Sequence, residues 1–329
     1  MRVSCAFPTT MSSPEDIQLA EEIGYERAWL YDTPQQSPDV WVSLALAAER
    51  TSRIGLGPGV LVPTLRHPMA NAAATATLAG LAPGRVAVSF GTGFTGRRAM
   101  GYRAIPWSYM AAYLDAYCGL LRGEVVEWEG ARMQMLHPDG SAPARPIEVP
   151  ILIGALGPKG RSVAKRHDGI FATITLEGLQ PGVFDWVAYL YWGTVLEPGE
   201  DVSSERVLAA AGPGGALAYH AAYELYGRDA LPDMPGGKEW LAVIDERRED
   251  ERHLGVHTGH CIYANDADRA AWTATGGALL PSTTVTGTAD EVKARIDELG
   301  AKGVTEVVFQ ACGPDIRREL EAMFAAANG

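Results

Sequence analysis

The sequence predicts an α/β fold, a parallel (β/α)8 barrel with insertions, on three observations. Short β-branched runs alternate with longer helical patterns from end to end, as expected of repeated βα units around a parallel sheet. Eight strand segments can be counted along the chain. Its 329 residues suit one closed barrel built on a single core, and no linker-like tract divides them.

The first unit is strand Val3–Ala6 followed by "SSPEDIQLAEEIGY", with Ser13 as N-cap, Pro14 opening the helix and Ile17, Ala20 and Ile23 forming an apolar stripe before Gly24. Three more units follow: strand Arg27–Leu30 with helix Val40–Thr51, strand Ile54–Gly57 with helix Met69–Leu81, and strand Val86–Phe90 with helix Trp107–Leu121. "VVEWEGARMQML" then reads as a β-hairpin turning at Glu129 and Gly130. Beyond it come strand Ile151–Ile153 with helix Lys159–Arg166, strand Gly169–Ala172 with helix Val183–Tyr191, and a seventh strand, Val207–Ala210. The eighth, Glu306–Gln310, is preceded by the amphipathic "ADEVKARIDELGAKG" and followed by helix Ile316–Ala326. The largest insertion, residues 212–286, lies between strands seven and eight. Loops on the carboxyl side of barrel strands carry function, so it is expected to act as a lid or substrate wall.

Composition narrows the function classes. At 47% hydrophobic and 21% charged residues the chain has enough apolar material for a buried core. Forty acidic against twenty-eight basic residues give a net charge of -12, which leaves no broad cationic surface for nucleic acid or anionic membranes. The N-terminal stretch runs straight into a strand and a capped helix, and no long apolar segment occurs, which predicts a soluble cytoplasmic protein. Cys5, Cys118, Cys261 and Cys312 are scattered without a CxxC pair and are expected to be reduced thiols. There is no GxSxG elbow or HExxH helix, so a hydrolase has no support.

Gly91, Gly93 and Gly96 spell GxGxxG after an apolar run. A Rossmann turn needs a helix directly behind the last glycine and an acid ending the next strand. Here Gly101 and Pro106 interrupt any helix, the acid near the required distance, Asp115, lies inside one, and the motif follows strand four rather than strand one. The glycines instead let backbone approach a planar or anionic ligand at the barrel mouth, or simply permit tight turns. "ALGPKGRS" admits a similar pair of readings: backbone N–H groups of Leu156–Gly160 converging on an anion, or an ordinary βα turn. Asp32 ends the second strand in "WLYDT", where its carboxylate would enter the mouth; helix capping or exposure is the alternative.

Four stretches together resemble the bacterial luciferase-like superfamily, in particular its coenzyme F420-dependent branch, which includes methylenetetrahydromethanopterin reductases. They are "RIGLGPGVLVPTLRHPMANAAATATLAGLAPGR", "VSFGTGFTG", "PILIGALGPK" and "TGTADEVKARIDELGAKGVTEVVFQ". They stand in the family's order and span nearly the whole chain except residues 212–286. The resemblance implies a TIM barrel with insertions, a flavin or deazaflavin across its mouth, and a homodimer. It also implies a non-proline cis peptide at Gly59 and Val60, which with Pro58 would back the central ring of the cofactor. Further cofactor contacts are implied at Thr92, Gly93 and Gly96, with Gly91 before them, and at Ala155, Leu156, Gly157, Pro158 and Lys159 for its phosphate. Asp32 falls where the family commonly carries a polar residue near the reactive face of the ring. Phe94 stands where some sugar-phosphate dehydrogenases of this branch carry an acid, and no lysine cluster is present to seat a substrate phosphate, which argues against that substrate class.

The insertion supplies further candidates. In "HLGVHTGH", His257 and His260 stand three apart; on a strand they would face opposite sides, and no further ligands stand at metal spacing, so no metal is expected. They could form a substrate wall or act as a general acid, or be structural histidines. Tyr219, Tyr223 and Tyr226 repeat at helical spacing and read as core packing, with His220 nearby as a pocket candidate. Trp41, Trp107 and Tyr109 follow strand ends and are placed with Phe94 in the substrate pocket. The leading expectation is an F420-dependent oxidoreductase that transfers hydride between deazaflavin C5 and a small organic substrate, with Asp32, His257 or His260 handling the proton. An FMN-dependent monooxygenase and a non-catalytic flavin-binding protein are the alternatives.

Overall fold

The computed structural model describes residues 1–329, and up to the sixth strand the elements follow the expected order. Strand β1 (Arg2–Phe7) leads to α1 (Ser13–Ile23), β2 (Arg27–Leu30) to α2 (Val40–Arg50), and β3 (Gly55–Pro58) to α3 (Pro68–Leu81). The N-cap of α1 is Ser12 rather than Ser13. Strand β4 (Val88–Gly91) is followed by a short helix α4 (Phe94–Arg98) and then α5 (Trp107–Arg122). A helix does therefore start directly behind Gly93, but it lasts one turn. The hairpin of β5 (Val126–Trp128) and β6 (Ala131–Met133) turns through Glu129 and Gly130, both at positive φ. Strand β7 (Ile151–Gly154), α6 (Pro158–Ala164) and β8 (Gly169–Thr173) complete this part.

Beyond β8, two expected elements are exchanged. The segment expected as helix Val183–Tyr191 is strand β9 (Trp186–Val195), the seventh of the barrel. Both of its faces are buried, so it reads as a continuous apolar run that periodicity cannot separate from a helix. The segment expected as strand Val207–Ala210 lies in α7 (Glu205–Tyr226), capped by the Ser204 hydroxyl, which accepts from the Val207 N–H at 3.2 Å. Pro213 and three glycines in its middle oppose a helix locally. Packing overrides them: a Cβ on Gly214 would lie 2.3 Å from Trp192 Cβ, so α7 sits against β9 at a distance only glycine permits. Consequently no helix separates β8 from β9.

After α7 come α8 (Gly237–Asp245), α9 (Arg252–His257), α10 (Asp266–Thr275) and α11 (Leu280–Thr283). Residues 212–286 take in the second half of α7, these four helices and the start of the short β10 (Val285–Gly287), which pairs with the end of β9. Helix α12 (Ala289–Ala301), β11 (Glu306–Gln310) and α13 (Ile316–Asn328) close the chain. Thr288 and Glu291 form a capping box at the start of α12.

The eight barrel strands run parallel in the order β3-β2-β1-β11-β9-β8-β7-β4, and bridges Leu56–Val86 and Leu61–Phe90 join the two ends. The molecule is a TIM barrel. Alternation along the strands divides the core. Ala6, Trp29, Leu152, Phe171, Ala188, Leu190 and Val308 fill the inside of the ring, while a larger cluster packs strands against the outer helices. A third cluster around Trp240, with Tyr219 and Tyr223 against it, holds the insertion together, so those two tyrosines are core residues; Tyr226 is exposed. At the amino end of the strands, fully buried Glu306 accepts from the indole N–H of Trp29 at 3.1 Å and of Trp186 at 2.6 Å, with the Arg2 guanidinium 3.6 Å away. That ion cluster braces the floor of the barrel and leaves the carboxyl ends free for the site.

Candidate active site

A cavity of about 370 Å³ opens at the carboxyl ends of the strands, beneath α7 and α9, within the size range of small-molecule sites. Its floor is made by strand ends that lack side chains. Gly91 and Gly154 are neighbours in the β4–β7 register, and both line the cavity. A Cβ at Gly91 would approach Val60 Cγ2 to 2.6 Å. Val60 belongs to the bend after β3, where the Gly59–Val60 peptide is cis and a Cβ at Gly59 would meet Trp29 Cβ at 3.0 Å. Backbone and one valine thus form a flat apolar surface.

Two loops rise from this floor. Thr92, Gly93 and Gly96 line one side together with Phe94 and Thr95, and Gly93 has φ +78. Ala155, Leu156 and Gly157 line the other, where Arg161 pins the loop by donating to the Leu156 carbonyl at 2.8 Å. Pro158 and Lys159 are exposed at the start of α6 and do not reach the cavity, and α6 has only seven residues, so any anion here is met by loop amides. Pro58 is buried within β3 below the bend. No lysine or arginine lines the cavity.

Asp32 lines the cavity just past β2, only 2% exposed. Arg66 Nη1 donates to both of its oxygens at 2.7 Å, while Arg66 Nη2 donates to Asp39 at 2.7 Å. Asp39 in turn caps α2. Burial pushes the Asp32 carboxyl above its ordinary range, outweighing the pull of Arg66 in the other direction. Removing the guanidinium has a signed consequence. A carboxyl whose folded pKa is raised binds more protons in the folded chain, so stability falls as pH rises from the unfolded value through the folded one. Arg66→Met is expected to raise the Asp32 pKa further and cost roughly 1–3 kcal/mol, discounted for partial exposure of the arginine. The deficit relative to wild type should be larger at about pH 8 than at about pH 4 in urea unfolding; an equal deficit at both would contradict it.

The insertion contributes three histidines. His257 and His260 do not face opposite sides: His257 ends α9, His260 follows a tight turn, and the rings meet at 5.3 Å between centroids. His220, from α7, stacks on His260 at 4.8 Å. Its Nδ1 lies 2.6 Å from His260 Nδ1, and its Nε2 lies 3.0 Å from Asp268 Oδ1. The Trp240 indole also donates to Asp268, at 2.8 Å. His260 Nε2 is 3.3 Å from the Thr95 hydroxyl. His257 Nε2 meets Glu224 at 3.1 Å, Glu224 pairs with Arg98, and His257 Nδ1 is buried without a partner. Burial, then the neighbouring histidines, hold His260 well below the ordinary histidine range, and burial also lowers His257.

Two expected pocket residues lie elsewhere. Trp41 is buried in the first turn of α2, donating to Asn71 at 3.0 Å, and Tyr109 packs edge-on against Trp128 at 5.5 Å. Phe94, Trp107 and His220 do line the cavity. Sequence reasoning misses Arg66, Thr95, Glu224 and Asp268, whose partners lie far away in the chain. A larger cavity of about 740 Å³ adjoins beyond Leu190, Trp192 and Leu217, but it spreads over the outer residues Tyr189 and Tyr191 and does not touch the glycine floor.

The family model described as luciferase-like monooxygenase matches residues 14–183. The chain belongs to that family. A 5,10-methylenetetrahydromethanopterin reductase of Methanolobus tindarius is 27% identical over 317 residues, covering 92% of this chain and 91% of that one. An F420-dependent glucose-6-phosphate dehydrogenase of Beutenbergia cavernae is 34% identical over 298 residues, covering 77% and 87%. Among solved structures, the coenzyme F420 dependent tetrahydromethanopterin reductase from Methanopyrus kandleri superposes with a TM-score of 0.67 at 19% identity, over 100% of this chain and 99% of that one. The FMN complex of the oxygenating constituent of 3,6-diketocamphane monooxygenase from Pseudomonas putida gives 0.60 at 13% identity, over 99% and 98%. These two likenesses concern the fold. The sequence relatives are named as oxidoreductases, and this luciferase-like chain is an oxidoreductase too.

Proposed function

We propose that this luciferase-like protein binds coenzyme F420 in the barrel mouth and exchanges hydride between the deazaflavin C5 and a small organic substrate. The observation that carries the reading is the side-chain-free floor of Gly59, Gly91 and Gly154, bent at the cis Gly59–Val60 peptide, under a cavity of about 370 Å³. A planar ring fits such a surface, and the full-length relatives named as F420 enzymes favour a deazaflavin. When bound, the cofactor supplies the two-electron hydride chemistry.

The chain's own residues have the remaining tasks. Gly59 and Val60 back the ring; Thr92, Gly93 and Gly96 face the ribityl chain or phosphate, and amides at Ala155, Leu156 and Gly157 face the phosphate. Phe94, Trp107 and His220 border the substrate, while Asp32, His257 and His260 are the groups able to hold a proton there. The cavity has no cationic side chain and Phe94 in place of an acid, which favours an uncharged substrate over a sugar phosphate. The helices of residues 212–286 form the outer substrate wall. A cytoplasmic homodimer completes the reading; Val42 and Leu46, exposed one turn apart on α2, offer apolar contact for it.

Titrating purified protein with F420 and with FMN, followed by absorbance and fluorescence, tests the reading. Saturable F420 binding with weaker FMN binding is expected. Tight FMN binding with oxygen consumption would overturn it in favour of a reduced-flavin monooxygenase. Binding of either cofactor without turnover across a broad substrate panel would leave a non-catalytic flavin-binding protein.

A further inference from the structure

We propose that Asp268, His220 and His260 form a hydrogen-bonded relay that presents His260 Nε2 to the cavity as the base for an alcohol substrate. The relay rests on the hydride-transfer reading for its chemistry, but its geometry stands in the protein alone.

The tautomers follow from the partners. Asp268 is an acceptor, so the histidine nitrogen facing it, His220 Nε2 at 3.0 Å, carries the hydrogen. A neutral His220 then has a bare Nδ1. Its neighbour at 2.6 Å, His260 Nδ1, must donate to it, because two bare nitrogens would repel at that distance. His260 is thereby fixed with its hydrogen on Nδ1 and its lone pair on Nε2, the atom 3.3 Å from the Thr95 hydroxyl at the cavity wall. Asp268 is itself held: Oδ1 also accepts from Trp240 at 2.8 Å, and Oδ2 accepts from the Asn265 N–H at 3.1 Å in the α10 capping box. Asp268 and His220 act here as positioning residues, ordering the ring that meets the substrate.

In the oxidative direction the substrate's carbinol C–H bond breaks and its electron pair leaves with the hydrogen for oxidised deazaflavin C5. The O–H bond breaks, its proton forms a bond to His260 Nε2, and the oxygen electrons close the C=O bond. The resulting positive charge on His260 is shared through His220 toward the Asp268 carboxylate. Carbonyl reduction runs the same steps backwards.

The titratable or charged groups packed around His260 are His220 and Glu224 on α7, His257 on α9, Arg98 on α4, Asp268 on α10 and the adjacent Cys261. Glu224 is engaged by Arg98 and His257, and burial pushes the Cys261 thiol well up, so neither competes for the proton near neutrality. Burial keeps His260 neutral there, with Nε2 open.

The test begins with side-chain ¹⁵N–¹H NMR of cofactor-free protein. The expected spectrum has His220 as the Nε2–H tautomer and His260 as the Nδ1–H tautomer. Asp268→Asn should release both tautomers. Because Asp268 also caps α10, His220→Leu is made in parallel; it leaves the cap intact and should free His260 alone. With an alcohol turned over by the wild type, both variants should lose about a hundredfold or more in kcat. F420 affinity should hold in both variants and KM in Asp268→Asn, whose side chain does not reach the cavity, and the acid limb of the pH profile should shift. The opposite tautomers in the wild type, or variants with unchanged tautomers and kcat, would overturn the relay. Failure of F420 to bind would instead strike the functional reading, while the tautomers would still decide the relay.

Discussion

Glu306→Ala is expected to destabilise the barrel by about 3–5 kcal/mol, the cost of breaking a buried charged cluster by removing one partner. The carboxylate is fully buried and accepts from the two indoles of Trp29 on β2 and Trp186 on β9, whose rings lie 6.4 Å apart between centroids. Arg2 lies 3.6 Å away, and Arg27 stacks within 5.4 Å of both indole rings. Alanine leaves two buried indole N–H donors without their acceptor and removes the negative charge beside the Arg2 and Arg27 guanidiniums. Glu306→Gln retains one carbonyl oxygen and should cost less, about 1–3 kcal/mol. Urea unfolding monitored by tryptophan fluorescence measures both. A cost below about 1 kcal/mol for alanine would mean that the floor of the barrel is braced by packing rather than by this cluster.

Gly154→Val is expected to weaken F420 binding by about ten- to a hundredfold while leaving the fold in place. A Cβ there would lie 3.3 Å from the Phe90 carbonyl and 3.5 Å from Val60 Cγ1, close but not in collision. Valine suits a strand, so the barrel accommodates it. Its methyl groups rise from the floor into the space assigned to the ring, and overfilling of that kind costs about 1–3 kcal/mol. Equal F420 affinity in the variant, with an unchanged unfolding midpoint, would show that the ring lies elsewhere.

Most of the barrel is legible in the sequence because its punctuation is local. Pro14 opens α1, Gly24 closes it in the left-handed conformation, and Glu129 and Gly130 turn the hairpin. The misread stretch fails for a physical reason. Strand β9 is buried on both faces and loses the alternation that marks a half-buried strand, while α7 carries Pro213 and glycines that only its close contact with Trp192 explains.

The site divides in the same way. Asp32 and the glycines of "VSFGTGFTG" sit at strand ends, which a βα count locates directly. The partners that give Asp32 and the histidines their character come from across the fold: Arg66 is 34 residues from Asp32, Glu224 is 33 from His257, and Asp268 is 48 from His220. No local pattern announces such pairs. Reading "HTGH" as a strand puts its histidines on opposite sides, whereas the helix end and turn bring both rings to one cavity. Position after a strand end points Trp41 and Tyr109 to the pocket, but helix packing claims them first.

The most direct measurement is a crystal structure of the protein grown with F420. The deazaflavin is expected to lie flat on Gly59, Val60, Gly91 and Gly154, with one face open toward His260 and Phe94 and its phosphate beside Gly93 or Leu156. A ring bound in the cavity behind Leu190, or at the surface with the glycine floor bare, would contradict it.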